Sequence, residues 1–328
     1  MQAKTLAWTW GSGIDARALK RSPPSLVVRR AGVGLDLRSL PAGEGVGDLR
    51  KAAFRWIDLL ADLGLGLWRV PTLAAHDADK NPLSGLAIDP ALHRGLAEDV
   101  EIDDEHITAW LNEEPWRVHH AVHATISESE GEDWRTWPEA YRPEDGHLSV
   151  EVDANRVRHH AGLQLQLEIG WKMVLHHANA RQVIVVLDVP STMSPTSVEA
   201  WTQQGEEAWP HRVLTTVRRA HVLGLGEGMS AELLNALPDE LPVGFVVHGE
   251  DPEGAEHGRL RWSRERAGED EACFGLLPDA GQAGLEALLD GPARWVAPRF
   301  SEMVPEGVSP FEADVLMPYA VAAHDRGR

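Results

Sequence analysis

The sequence predicts an α/β fold on parallel strands, laid out as one large barrel or as two modest domains. Three observations point there. The chain has 328 residues, more than one small domain needs. Its first clear unit reads strand, helix, strand. Its most apolar run, Val183-Ile184-Val185-Val186-Leu187, is a continuous, largely β-branched segment, the kind that parallel sheets bury on both faces.

The elements follow in order. Residues 1–26 form an irregular N-terminal segment ending in Ser22-Pro23-Pro24-Ser25. The first strand begins at Leu26-Val27-Val28 and continues toward Leu37. The loop Pro41-Ala42-Gly43-Glu44-Gly45-Val46-Gly47 then leads to Asp48, the expected N-cap of a helix. Leu49, Ala53, Phe54, Ile57, Leu60 and Leu63 share one face of that helix. Gly64 ends it, and 65–70 is the second strand, stopped by Pro71. Residues 74–160 read as an inserted helical subdomain rather than a barrel repeat. Within it Asp89-Pro90 opens a short helix, and further helices are expected near 107–111 and 119–126. The run Glu128-Ser129-Glu130-Gly131-Glu132-Asp133 reads as a solvated loop.

Residues 153–179 carry two periods. Leu163, Leu165, Leu167 and Ile169 alternate as in a strand, while Leu163, Leu167, Trp171, Val174 and Ala178 fit a helix face. The length of the segment, and the buried strand that follows it, favour the helix. That strand, 183–187, ends in Asp188-Val189-Pro190, and an acid at the carboxyl end of a barrel strand is where such folds keep their chemistry. Further strands are expected at 217–223 and 243–247, with a weaker one at 294–297. Gly- and charge-rich loops, notably 253–271, separate them. There is no internal repeat.

Composition excludes several classes of function. Lys and Arg total 31 against 51 Asp and Glu, a formal net charge of −20. Such a surface repels phosphate, which argues against nucleic acid and anionic membranes as partners. A membrane span needs roughly 20 apolar residues, and no aliphatic run approaches that. The opening residues lack the apolar stretch of a signal peptide. The single cysteine, Cys273, rules out an internal disulfide framework. The expectation is a soluble, cytoplasmic protein. The aromatic balance is unusual, with 13 Trp against 2 Tyr and 5 Phe. Trp faces suit stacking on sugar rings, although packing is their more ordinary use.

The motifs Arg30-Ala31-Gly32-Val33-Gly34-Leu35, Ser39-Leu40-Pro41 and Gly45-Val46-Gly47-Asp48-Leu49 resemble the opening of the 4-α-glucanotransferases of the amylomaltase, or disproportionating enzyme, family. The strand Leu67-Trp68-Arg69-Val70-Pro71 resembles the family's W-Q-x-L-P. Asn81-Pro82-Leu83-Ser84-Gly85-Leu86 resembles a worn form of its S-P-Y-x-x-x-S-A-F loop. Trp134-x-x-Trp137-Pro138, Leu187-Asp188-Val189-Pro190 and Ser197-Val198-Glu199-Ala200-Trp201 resemble W-x-x-W-P, G-D-x-P and S-A-D-V-W. The resemblance covers about residues 28–201 and thins beyond them. It implies a (β/α)8-type TIM barrel over 27–328, shortened toward its C-terminus, with the inserted subdomain at 74–160. It also implies retaining transfer of α-1,4-glucan segments, a maltooligosaccharide ligand and no cofactor.

The same resemblance assigns the site. Arg218-Arg219-Ala220-His221-Val222-Leu223-Gly224-Leu225 resembles R-I-D-H-V-x-G-L, whose aspartate is the nucleophile. Ala220 stands at that position, with Arg218 and His221 flanking it as substrate-binding residues. Val246-Val247-His248-Gly249-Glu250-Asp251 resembles V-V-G-E-D-L-G, which makes Glu250 the general acid/base. Trp209, in Gly205-Glu206-Glu207-Ala208-Trp209-Pro210, takes the place of a sugar-stacking residue, and Asp188 is a candidate for binding sugar hydroxyls. The family's T-H-D acid has no counterpart here. Retaining chemistry needs two carboxyls about 5–5.5 Å apart, one of them a nucleophile. Alanine cannot serve, so catalysis is expected to be impaired. The alternative is a non-enzymatic glucan-binding or regulatory partner of another protein.

Two further patterns read as bland. His119, His120 and His123 form H-H-x-x-H, with one pair at zinc-ligand spacing. The hydrolytic glutamate is absent, and with 16 His in the chain clusters arise by chance, so no metal is expected. Gly43, Gly45 and Gly47 lack the phosphate-loop form and read as turn glycines.

Overall fold

The computed structural model of the chain describes residues 30–40, 47–62, 65–79, 81–93, 96, 102–143, 151–190, 192–202, 213, 215–216, 218–225, 244–247, 260–262 and 273–277. Within these, the parallel strands are β1 (Arg30–Gly34), β2 (Leu67–Val70), β3 (Ile184–Val189), β4 (Val222–Leu225), β5 (Gly244–Val247), β6 (Leu260–Trp262) and β7 (Cys273–Leu277). Each pairs with the next, and β7 returns to β1 from Arg30↔Phe274 to Val33↔Leu277, so the sheet closes on itself. The helices are α1 (Lys51–Asp62), α2 (Asp104–Glu113), α3 (Pro115–Glu130), α4 (Ala154–Ala180) and the single turn α5 (Val198–Trp201).

Local chemistry accounts for these elements. The Asp48 carboxylate accepts from the backbone N–H groups of Arg50 and Ala52 at 2.8 and 3.1 Å, as the sequence predicts for the cap of α1. Asp103 caps α2 through His106 N, and Asp153 caps α4 through Asn155 N. Pro115 opens α3, where its missing N–H costs nothing. The segment with two periods is the 27-residue helix α4.

Burial alternates along the strands and separates two environments. Trp68 and Val70 of β2, Val185, Leu187 and Val189 of β3, and Leu223 of β4 join one core with Ala53, Trp56, Ile57 and Leu60 of α1 and with Leu167, Trp171 and Val174 of α4. Their faces therefore point out to the helix layer. Leu67, Ile184, Val186 and Val222 are equally buried but lie outside that core, which puts them on the inner face of the ring. The same alternation places Arg69, Asp188 and Gly224 on the inner face.

A second core packs Ile107, Trp110, Trp116 and Ala121 of α2 and α3 against Ala161 and Leu165 of α4. Beneath it the Glu168 carboxylate meets Arg219 and accepts from Trp110 Nε1 at 3.0 Å. Burial works against this charge, but Arg219 and then Arg117 outweigh it and hold the carboxyl below its ordinary range.

Three sequence expectations are corrected. The run 128–133, expected as a solvated loop, is helical through Glu130, the last residue of α3. The strand expected at 217–223 is β4, starting at Val222, because Arg218 and Arg219 form a turn bonded to Thr215 and Thr216. Arg219 leaves the strand pattern to pair with Glu168. β6 overlaps the predicted loop at 253–271, and β7 follows that loop. A strand as short as Leu260-Arg261-Trp262 offers no periodicity to read. The proposed strand at 294–297, like residues 26–29, lies outside the described residues.

Candidate functional site

Parallel barrels gather their polar groups at the carboxyl ends of the strands. At this end of β1–β3 the chain assembles two linked charge clusters. Arg69, on the inner face of β2, donates to Asp188 of β3: Nε to Oδ2 at 2.9 Å and Nη2 to Oδ2 at 2.6 Å. Both side chains are mostly buried, over a floor of Leu67, Ile184, Val186 and Val222. Such a two-contact pair fixes the carboxylate's orientation as well as its charge.

Just beyond β1, Asp36 and Arg38 form the second cluster. Arg38 donates to Asp36 through Nε at 3.0 Å and Nη2 at 2.6 Å, and through Nη1 to the Ala74 carbonyl at 2.9 Å. Asp89 Oδ2 lies 3.4 Å from the same Nη1. Burial opposes the Arg38 charge, but the hydrogen bond and charge of Asp36, then Asp89, outweigh it and raise its pKa. His76 sits beside this cluster. Burial, and then the Arg38 charge, hold it below its ordinary value, so it is neutral near pH 7.

The loop carrying His76 and Asp89 is anchored on three sides. The Gln164 side chain accepts from Ile88 N at 3.0 Å and donates to Ile88 O at 2.7 Å. Glu199 of α5 accepts from Ser84 Oγ at 3.1 Å and from Gly85 N at 2.7 Å. Backbone bonds from Ser194 N to Pro82 O and from Val198 N to Leu83 O tie the same loop to the segment after β3. The loops after β2 and β3 are therefore bonded to each other through both side chains and backbone. Inter-loop bonds of this kind pre-organise a site for a ligand that would otherwise have to order it.

The sequence-predicted residues divide. Asp188 stands at the carboxyl end, as expected, but bound to Arg69. Ala220 is 7% exposed and belongs to the main core. His221 donates its N–H to Val185 O, and its Nδ1 accepts from Val185 N at 3.0 Å. Burial lowers its pKa to about 4. Val185 is the second residue of β3, so Ala220 and His221 lie toward the amino end of the ring. Leu225, which pairs with Val247 of β5, is five positions further along, roughly 16 Å at strand rise. Arg218 is 70% exposed on its side chain and lies 3.5 Å from Glu114, away from Asp188. Glu250 and Trp209 lie outside the described residues.

Sequence reasoning missed Arg69, Asp36, Arg38, His76 and Asp89 as site residues. For Arg69, Asp36 and Arg38 a charge on the inner face at a strand's end, or two to four residues past it, was the available signal; His76 and Asp89 lie too far past β2 to carry one. Among the described residues no group of three or more His, Cys, Asp or Glu is arranged to hold a metal ion, and no helix is long and apolar enough to cross a membrane.

Residues 87–208 match the family model described as 4-alpha-glucanotransferase. A 4-alpha-glucanotransferase of Aquifex aeolicus (strain VF5) is 25% identical over 221 residues, covering 53% of this chain and 45% of the relative. One from Synechocystis sp. (strain ATCC 27184 / PCC 6803 / Kazusa) is 23% identical over 231 residues, with the same coverage. The match therefore spans less than half the length of these curated relatives. Among solved structures, an amylomaltase from Streptococcus agalactiae in complex with acarbose superposes with a TM-score of 0.59 over 86% of each chain, at 13% identity. At that identity the likeness is one of fold.

Proposed function

We propose, for a chain that belongs at partial coverage to the 4-alpha-glucanotransferase family, an α-1,4-glucan-binding role at the carboxyl end of the barrel with impaired transfer chemistry. The ring is read as a relative of the (β/α)8 barrel, shortened toward its C-terminus, over 27–328. Residues 74–160 are its inserted helical subdomain. The solved amylomaltase with acarbose supports a maltooligosaccharide as the ligand class.

The sequence resemblance aligns Ala220 with the nucleophile, and Ala220 has no carboxylate. It is buried toward the amino end of the ring, so the observation that carries the impairment is the state of the carboxylates at the carboxyl end. Of the described carboxylates at the carboxyl end, Asp36, Asp89 and Asp188 are engaged with arginine, Glu199 with Ser84 and Gly85, and Asp77 with the backbone N–H groups of Asp79 and Asn81. An Arg-bound carboxylate is held in a fixed orientation with oxygens already accepting hydrogen bonds, which suits accepting sugar hydroxyls better than attacking an anomeric carbon. In this reading Asp188 and Arg69 contact the sugar, Trp209 stacks on it, and Glu250 is the one acid retained. Arg218 and His221 keep the family's sequence positions but are read here as supports of the β3–β4 junction.

Incubation with maltotriose tests this reading. The expected result is neither glucose nor longer maltodextrins at ordinary protein concentrations, since loss of a nucleophile costs many powers of ten in rate. A ladder of longer products that copurifies with the protein, and disappears in Glu250→Gln, would establish a working transferase instead.

A further inference from the structure

The H-H-x-x-H run of α3 meets α4 in a way the glucan reading does not use. His119 Nδ1, His120 Nδ1 and His123 Nε2 are sealed from solvent and have no hydrogen-bond partner, although part of each ring reaches the surface. Buried polar atoms are ordinarily satisfied, and an orphan costs free energy that an apolar side chain would not. Here three occur within two turns of one helix.

Among the described residues no carboxylate offsets burial at His120 or His123. The His123 ring lies 4.9 Å from Trp137 and 5.3 Å from Trp201 of α5. From α4 comes His160, edge-on to His159 at 5.6 Å, with Arg156 beside it. From the turn before β4 comes Arg219. The facing carboxylate is Glu128, 3.3 Å from His160 Nε2 and 3.5 Å from Arg156. Glu113 of α2 is engaged by Arg117, Asp104 of α2 by Arg158, and Glu199 of α5 by Ser84 and Gly85. A proton added to the inner nitrogen of His120 or His123 would enter a pocket of rings beside Arg219, itself paired with Glu168 of α4.

We propose that this cluster is an acid-sensitive catch: α3 stays docked on α4 and α5 while the rings are neutral, and lets go when they take up protons. Burial pushes His120 down to about 3, helped by His123, His160 and Arg219, and burial alone lowers His123 to about 4. The sign follows. A histidine whose folded pKa is lowered binds fewer protons folded than open. Docking is therefore at full strength above the ordinary value of about 6.5 and drains as pH falls toward 4. Each of the two rings should raise the open fraction about tenfold between pH 7.5 and 5.5. Because α5 also carries Glu199, release of α3 would slacken the anchored loop after β2.

Amide hydrogen exchange on the whole chain at pH 7.5 and 5.5, corrected for intrinsic rate, tests the proposal. Protection across α3 should fall tenfold to a hundredfold at the lower pH, with α1 and β2 unchanged. In His120→Leu/His123→Leu that fall should vanish. An equal fall in wild type and double variant, or none in wild type, would overturn the catch. If the double variant does not fold, imidazole proton shifts in wild type decide. Midpoints of His120 and His123 below 5.5 uphold it, and midpoints near 6.5 refute it.

Discussion

Two side chains show how context decides what a residue type can do. Ala220, the residue that the sequence resemblance aligns with the family's nucleophile, packs in the main core, 7% exposed. Ala220→Asp should therefore destabilise the fold by about 2–4 kcal/mol, the cost of burying a carboxyl without a partner. It should restore no transfer. Urea unfolding reads the first effect and product chromatography the second. A stable variant with transfer activity would mean that position 220 faces the sugar after all. His221 is the complementary case. Its neutral ring accepts from Val185 N–H, so His221→Leu leaves that donor orphaned and should cost about 1–3 kcal/mol at pH 7. The folded pKa of about 4 lies below the unfolded value, so this contribution is present above about 6.5 and drains as pH falls to 4. The stability gap between wild type and His221→Leu should accordingly narrow from pH 7 to pH 5. A gap that widens would contradict the neutral assignment.

Among the elements, α1, β2, α4, β3 and β5 were legible from periodicity and caps. Asp48 and the apolar face of α1 needed no tertiary information, and Val183 to Leu187 announced a strand buried on both sides. What escaped were features set by long-range contacts. Arg219 turns the chain before β4 because a buried Glu168 waits 51 positions earlier. β6 and β7 are held by neighbouring strands rather than by their own pattern. The Arg69–Asp188 pair spans 119 positions, so neither residue marks the other in sequence. Two glycines make a testable contrast. A Cβ on Gly47 would stand 2.0 Å from the Leu37 carbonyl oxygen, whereas one on Gly170 would meet the Leu96 methyl Cδ1 at 2.8 Å. Backbone cannot yield as a side-chain end can. Gly47→Ala should cost about 1–3 kcal/mol by thermal melting. Gly170→Ala should stay within about 1 kcal/mol of wild type, helix propensity offsetting the displaced methyl. Equal losses at the two positions would show that the Gly47 turn relaxes.

At the scale of the molecule, the ring places its apolar floor at one level and its arginine–carboxylate pairs above it, with the loops after β2 and β3 bonded into one rim. The proposed ligand rests on the partial family match, and the net charge of −20 disfavours phosphate-bearing partners. The central proposal is that this rim takes an α-1,4-glucan without carrying out transfer. Titration calorimetry with maltoheptaose is the most direct test. The account predicts saturable 1:1 binding in the millimolar to high-micromolar range, as a few hydroxyl contacts and one stacking ring allow. That binding should weaken at least tenfold in Arg69→Met. A flat titration up to high millimolar sugar with folded protein would contradict it and leave the regulatory-partner reading in its place.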